Sequence, residues 1–291
     1  MNPSYKLGKR FFLEEKPVIT EHDFNRYLSI RELGGISKKW YYQCKIYLEK
    51  YLDYVDWKID ENKTFEYYKL LKNTISLCYY KKIVYQIRKF LDYLNVSWAY
   101  DVKLPPDLYY PPKRITFEDI NKTVKYFEDN QFFLQTKALI YLGMTTGARP
   151  LELYQLNLED IDLQNRVLYI NHNPQNGQTT KTKRSRVTFF NNETKDALTE
   201  YLAYYKKDKN LKKLFSQSHI SRLFKDAPVK VRYLRKFFSQ QWTRRNGNSS
   251  VKRLLMGHSP RHDIDMAYYN AQSEEDLKRI YDNVMLNHTI K

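Results

Sequence analysis

The chain has 291 residues, enough for one large domain or two ordinary ones. It carries 50 Lys and Arg against 33 Asp and Glu, a formal net charge of +17 at pH 7, and a balance this basic points to a polyanion, most often nucleic acid. Two cysteines, Cys44 and Cys78, do not make a disulfide framework, no run approaches the ~18 apolar residues of a membrane span, and the first residues lack the apolar centre of a signal peptide. The expectation is a cytoplasmic, nucleoid-associated protein with no membrane contact.

Residues 1–18 are basic and irregular and read as a loose arm. Residues 19–104 read as an all-helical domain. A short helix over 20–31 is broken by Gly34-Gly35. Ser37 caps a longer helix through Trp40, Tyr41, Cys44, Tyr47, Leu48, Tyr51 and Leu52, which recur at helical steps. Thr64 is the expected cap of a third helix through Tyr67, Leu70 and Leu71. A fourth runs over 77–94 with Ile83, Ile87, Phe90, Leu91 and Leu94 on one face. Two Pro-Pro pairs, 105–106 and 111–112, cannot be helix interior. Residues 105–115 therefore read as a linker.

Residues 116–291 form the second predicted domain. Thr116-Phe-Glu-Asp is a capping pattern, and helices are expected over 117–129 and 131–145. Arg166-Val-Leu-Tyr-Ile-Asn reads as a strand, Asn173-Pro-Gln-Asn-Gly177 as a turn, and 179–190 as the returning strand of a hairpin. Helices follow over 192–206, 216–225, 229–243, 249–255 and 273–286. The fold class is mainly α with a small β-hairpin: a helical domain followed by a mixed α+β domain. The last helix lines up Leu277, Ile280, Tyr281, Val284 and Met285.

Four segments carry side chains suited to phosphate chemistry. Thr146-Gly-Ala-Arg149 leads into Pro-Leu-Glu152-Leu. The hairpin holds Lys181, Lys183 and Arg186. Arg232 and Arg235 stand three apart, on one helix face. Leu255-Met-Gly-His258-Ser is followed by His262 and the pair Tyr268 and Tyr269. Two histidines four apart can suggest zinc, but Pro260 lies between them, no Glu follows His258, and no third ligand is in view. Singly, each segment is also what a solvated surface or a protected strand edge contains.

In this order and spacing the four segments resemble the tyrosine recombinase/integrase family, which includes phage and archaeal-virus integrases and the Xer recombinases. The resemblance covers residues 116–286, and 20–100 is similar in length and position to the family's helical core-binding domain. It implies that Arg149 and Arg235 are the two catalytic arginines, with Glu152 the acidic partner of the first. Lys181 is the hairpin lysine, with Lys183 its alternative. His258 is the histidine of the Leu-Gly-His box. Arg232 occupies a position where the family usually has His. An arginine stays protonated and is no ready base, so the departure bears on the general base. The nucleophile is Tyr269 or Tyr268. Tyr269-Asn-Ala-Gln-Ser273-Glu-Glu-Asp276-Leu277 fits the family's frame better.

The chemistry asks for these residue types. Two permanently charged planar forks can clamp a phosphate as charge builds on its oxygens. A tyrosine can hold the strand covalently and keep the bond energy for rejoining. A lysine can protonate the departing 5′-oxygen. The resemblance implies site-specific recombination of double-stranded DNA through a 3′-phosphotyrosyl link, without cofactor or metal, by a monomer or dimer that forms a tetramer on DNA. It implies integration or excision of a mobile element, and for the last helix it sets docking on a neighbouring protomer beside the plain reading of the residues, a helix packed on its own core. Competing readings are a type IB topoisomerase-like enzyme, an Xer-type resolvase of chromosome dimers, and a DNA-binding relative without catalysis.

Overall fold

The computed structural model describes residues 18–107, 109–205, 213–259 and 272–286. Contacts divide the chain between Pro111 and Pro112 into two units.

The first unit is built from helices α1 (Glu21–Leu33), α2 (Lys38–Tyr54), α3 (Glu61–Thr74) and α4 (Leu77–Tyr93). Polar caps start the first three. Thr20 and Asp23 form a reciprocal capping box, and Ser37 accepts from Trp40 N–H. The third cap is Asp60 and not Thr64 as expected. Thr64 sits one turn inside, where its hydroxyl donates to the Asp60 carbonyl and pairs with the buried Tyr51 hydroxyl at 2.8 Å. Both residue types cap helices, and only the tertiary partner decides between them. Leu48, Tyr51, Val84, Ile87, Phe90 and Leu91 form the centre of this core. Gly35 turns the chain between α1 and α2 at φ +76°, a value L side chains rarely adopt.

The second unit surrounds one buried helix. α5 (Phe117–Tyr126) leads to α6 (Phe133–Thr146), which is buried along most of its length and packs against α8 (Asn192–Tyr205) and α10 (Val231–Arg244). Between them lie α7 (Pro150–Tyr154) and an antiparallel sheet of β1 (Ile161–Asp162), β2 (Val167–Ile170) and β3 (Arg186–Phe189) in the order β1-β2-β3. The register sets Val167 opposite Phe189 and Ile170 opposite Arg186. α9 (Gln217–Leu223), α11 (Ser249–Leu255) and α12 (Glu274–Met285) complete the unit.

Two expectations change here. β1, two residues long, has no periodic signal of its own. The returning strand is shorter than 179–190. Lys183 takes φ +55°, and the Thr180 hydroxyl bonds both the carbonyl and the N–H of Arg184, so residues 180–184 curl on themselves and the ladder begins at Arg186. The apolar face of α12 is occupied by its own unit: Tyr281 and Met285 are fully buried with Phe189, Trp242 and Leu255. Arg166 grips Asp282 through two hydrogen bonds of 2.9 and 2.7 Å. This face therefore packs on the chain's own core. No helix among the described residues is long and apolar enough to cross a membrane.

Candidate active site

The site starts where α6 ends. Gly147 closes that helix in the left-handed conformation, φ +63°, and a Cβ there would stand 2.4 Å from the Phe238 ring. The chain then turns through Ala148 into α7, whose N-cap is Arg149. An arginine has no short oxygen with which to cap a helix. Glu152 at the third position reaches back instead, and its carboxylate accepts the Arg149 N–H at 2.7 Å. The same carboxylate accepts Arg149 Nη1 at 2.8 Å, and Arg186 Nη1 and Nη2 at 3.1 and 2.7 Å. Only 2% of the Glu152 side chain is exposed. Burial alone would raise its pKa, but the hydrogen bonds and charge of Arg186, with those of Arg149, outweigh this and hold the carboxyl below its ordinary value.

A second set of bonds gathers the arginines. The last carbonyls of a helix lack partners within it, and three in succession at the end of α11 each accept from a different guanidinium. Leu255 O takes Arg186 Nε at 2.9 Å, Met256 O takes Arg235 Nη1 at 2.8 Å, and Gly257 O takes Arg149 Nη2 at 2.9 Å. Arg235 Nη1 also donates to Gly147 O at 2.7 Å, which ties the end of α6 to the same point. Cations at a helix C-terminus are favourable by the helix dipole as well. Three guanidiniums around one carboxylate leave surplus positive charge. Burial first, then the charge of Arg149, brings the Arg235 pKa down to about 10, so it remains protonated at pH 7.

His258 follows directly. Gly257 takes φ +65°, and the His258 N–H returns to Arg253 O at 2.9 Å. His258 is exposed to the cleft, and partial desolvation, then the charges of Arg235 and Arg149, push its imidazole pKa down to about 4. The ring is therefore neutral at pH 7 and has one nitrogen free of a proton. Arg149, Lys181, Thr182, Lys183, Arg184, His258 and Ser259 line one open cleft of about 730 Å³. Lys181 and Lys183 are exposed at its edge.

Of the residues singled out from sequence, Arg149, Lys181 and His258 thus meet at one cleft, with Arg235 tied to the turn that carries His258 and Glu152 beneath. Arg232 stands apart. It is exposed, lies 4.8 Å from the centroid of the Tyr233 ring, and lines a neighbouring groove with Pro150, Tyr154 and Lys230. Tyr268, Tyr269 and His262 lie outside the described residues. The sequence reading places Arg186 only on the hairpin beside Lys181 and Lys183, and does not reach its part as second partner of Glu152. Its signal was present, since an arginine at the first position of an inward strand needs a buried anion.

The phage integrase family model matches residues 113–289. The chain belongs to the phage integrase family. Among curated relatives, this family member is 28% identical over 201 residues to tyrosine recombinase XerA of Saccharolobus solfataricus, covering 64% of this chain and 60% of that protein. It is 33% identical over 93 residues to tyrosine recombinase XerC of Thermodesulfovibrio yellowstonii, covering 32% and 28%. The matches therefore span less than two thirds of either relative. The fold is shared with the Tn1549 transposon integrase solved with circular intermediate DNA (TM-score 0.63, 17% identity, 89% of this chain and 97% of that one). It is shared equally with a lambda integrase dimer bound to a COC′ core site (TM-score 0.63, 14% identity, 91% and 95%).

Proposed function

We propose that the protein is a site-specific tyrosine recombinase that cleaves and rejoins double-stranded DNA. The observation that carries this reading is the convergence of Arg149, Lys181 and His258 on one cleft, with Arg235 bonded to the same turn. Family membership and the surplus positive charge support it. A phosphodiester seated there would meet preorganised donors and need no reorganisation of the protein as charge develops, which is worth a few kcal/mol per donor.

The step follows from the residues. The Tyr269 hydroxyl oxygen attacks phosphorus in line, with Tyr268 the competing nucleophile. The bond to the 5′-oxygen breaks, a 3′-phosphotyrosyl link forms, and Lys181 Nζ gives its proton to the departing oxygen. Arg149 and Arg235 hold the non-bridging oxygens. Arg232 cannot take the tyrosine proton, whereas the neutral His258 can. Reversal by a 5′-hydroxyl rejoins the strand without ATP. The helical unit, residues 19–104, would add phosphate contacts that set register, and a tetramer would form on DNA. Mobilisation of an archaeal-type element is the narrower reading, supported by Arg232 in place of His and by the Tyr-, Lys- and Asn-rich composition.

The test is a covalent-adduct assay with supercoiled plasmid carrying the DNA that flanks the protein's own gene. The mixture is denatured with SDS and the peptide–DNA link is mapped. An adduct at Tyr269, lost in Tyr269→Phe and kept in Tyr268→Phe, is expected. An adduct at Tyr268 would move the nucleophile by one residue. Specific binding to a site that never yields an adduct would reduce the protein to a DNA-binding relative.

A further inference from the structure

α7 does more than present Arg149. Its C-cap, Gln155, faces the loop that carries Lys181, and the two are clasped reciprocally. Gln155 Oε1 accepts the Thr179 N–H at 2.8 Å, and Gln155 Nε2 donates to Thr179 Oγ1 at 3.2 Å. The next residue back is held from the same place. Gln178 Nε2 donates to Gln155 O at 3.3 Å and to Asp160 Oδ2 at 2.6 Å. Asp160 is 1% exposed and also accepts from Asn171 Nδ2 at 2.7 Å and from Asn157 N–H at 2.8 Å. The Thr180 N–H donates to His172 Nδ1 at 3.1 Å. Gln178, Thr179 and Thr180 are thus each fixed by side chains outside their own stretch, and the exposed turn that bears Lys181 begins at the next residue.

No strand ladder holds residues 179–185, so this mooring is what sets where the lysine starts. A general acid contributes only when its proton lies within reach of the leaving oxygen. α7 therefore has one end on the phosphate-binding arginine and the other on the proton donor. We propose that Gln155 is a positioning residue for proton transfer by Lys181, acting through Thr179 and fixing the spacing between Lys181 and Arg149. This rests on Lys181 being the general acid of the proposed reaction.

The experiment uses the full chain and a synthetic duplex carrying the cleavage site mapped by the adduct assay, made with either oxygen or sulfur at the 5′-bridging position. Sulfur leaves without a proton, so a defect confined to proton delivery vanishes on the sulfur duplex, while a defect in folding or in the arginines persists. Gln155→Ala is expected to cleave the oxygen duplex about 10–100-fold more slowly than wild type and the sulfur duplex within about 2-fold, a partial loss of the ~10²–10⁴ that general acid catalysis supplies. Thr179→Val keeps the N–H and loses only the hydroxyl, and is expected to show the same pattern more weakly. Equal slowing of Gln155→Ala on both duplexes would overturn the proposal and make Gln155 a support for the fold, and wild-type rates on both would overturn it too. Lys181→Ala is the control. If sulfur rescues Lys181→Ala but not Gln155→Ala, only the positioning role fails. If sulfur does not rescue Lys181→Ala, the acid assignment fails and the proposal falls with it.

Discussion

On the arginine side of the cleft, three guanidiniums are bonded to successive carbonyls at a helix end, and two of them share one buried carboxylate. On the lysine side, the loop is held by amide and hydroxyl bonds and by the buried Asp160 side chain, and Lys181 itself is exposed. The contrast fits the two jobs proposed for these sides. A phosphate is recognised by charge that is already in place, and burial between protein dipoles keeps that charge strong. A proton must travel, so its carrier needs a stem free to move from a fixed base. One side is rigid and charged throughout, and the other is rigid only up to its last anchored residue.

The largest expected effect tests whether the arginine side depends on its carboxylate. Glu152→Ala leaves Arg149 and Arg186 without their shared anion and is expected to cost about 3–5 kcal/mol of stability. Urea unfolding of this variant beside Gln155→Ala sharpens the contrast, since loss of neutral bonds on the lysine side is expected to cost about 1–3 kcal/mol. Equal losses would erase the distinction between the two sides.

Next come the arginines themselves. Arg149→Ala and Arg235→Ala are each expected to lower the single-turnover cleavage rate about 10²–10³-fold while retaining most of the binding to the same duplex. Parallel loss of binding and cleavage, read by mobility shift and adduct yield, would make them anchors for DNA and nothing more.

The smallest effect is one of pH. His258 has a folded pKa of about 4, below the ~6.5 of an unfolded chain. Between those values the unfolded state binds the proton and the folded state does not, so stability falls as pH drops from about 6.5 towards 4. His258→Asn is expected to flatten that part of a urea-midpoint-against-pH curve. The Glu152 carboxyl, also lowered, contributes stability above the ~4.3 of a free glutamate that is lost only as pH falls further, through its folded value. A wild-type curve flat from pH 6.5 to 4.5 would mean that neither desolvation nor the guanidiniums lower the His258 pKa.

Much of the arginine side was legible because its parts are local. Arg149 and Glu152 stand three apart, the N-cap-to-N3 interval of a helix start, and proline at the first helical position marks the same place. The helix ends were close for the same reason. The lysine side was misread because Thr, Lys and Arg in alternation look like an edge strand, while the Thr180 hydroxyl and the left-handed Lys183 pull the backbone out of the ladder. The meeting of α7 with the end of α11 is legible only through the resemblance, which sets Arg149 and His258 in one group, and the bonds that make it are not legible at all. Arg149 and Gly257 are 108 residues apart, and nothing in either segment names the other. Carbonyl acceptors leave no trace in a sequence, since every residue has one.

Gly257 shows what this closeness means for change over time. A methyl group there would stand 2.7 Å from the Arg186 guanidinium carbon, on a backbone held at φ +65°, so a side chain at 257 strains the turn and pushes the guanidinium from its place. Position 186 in turn cannot become apolar without removing one of the two cations that keep Glu152 ionised. The three positions are therefore coupled: a side chain at Gly257 is felt through Arg186 at Glu152, two contacts away from where it is introduced.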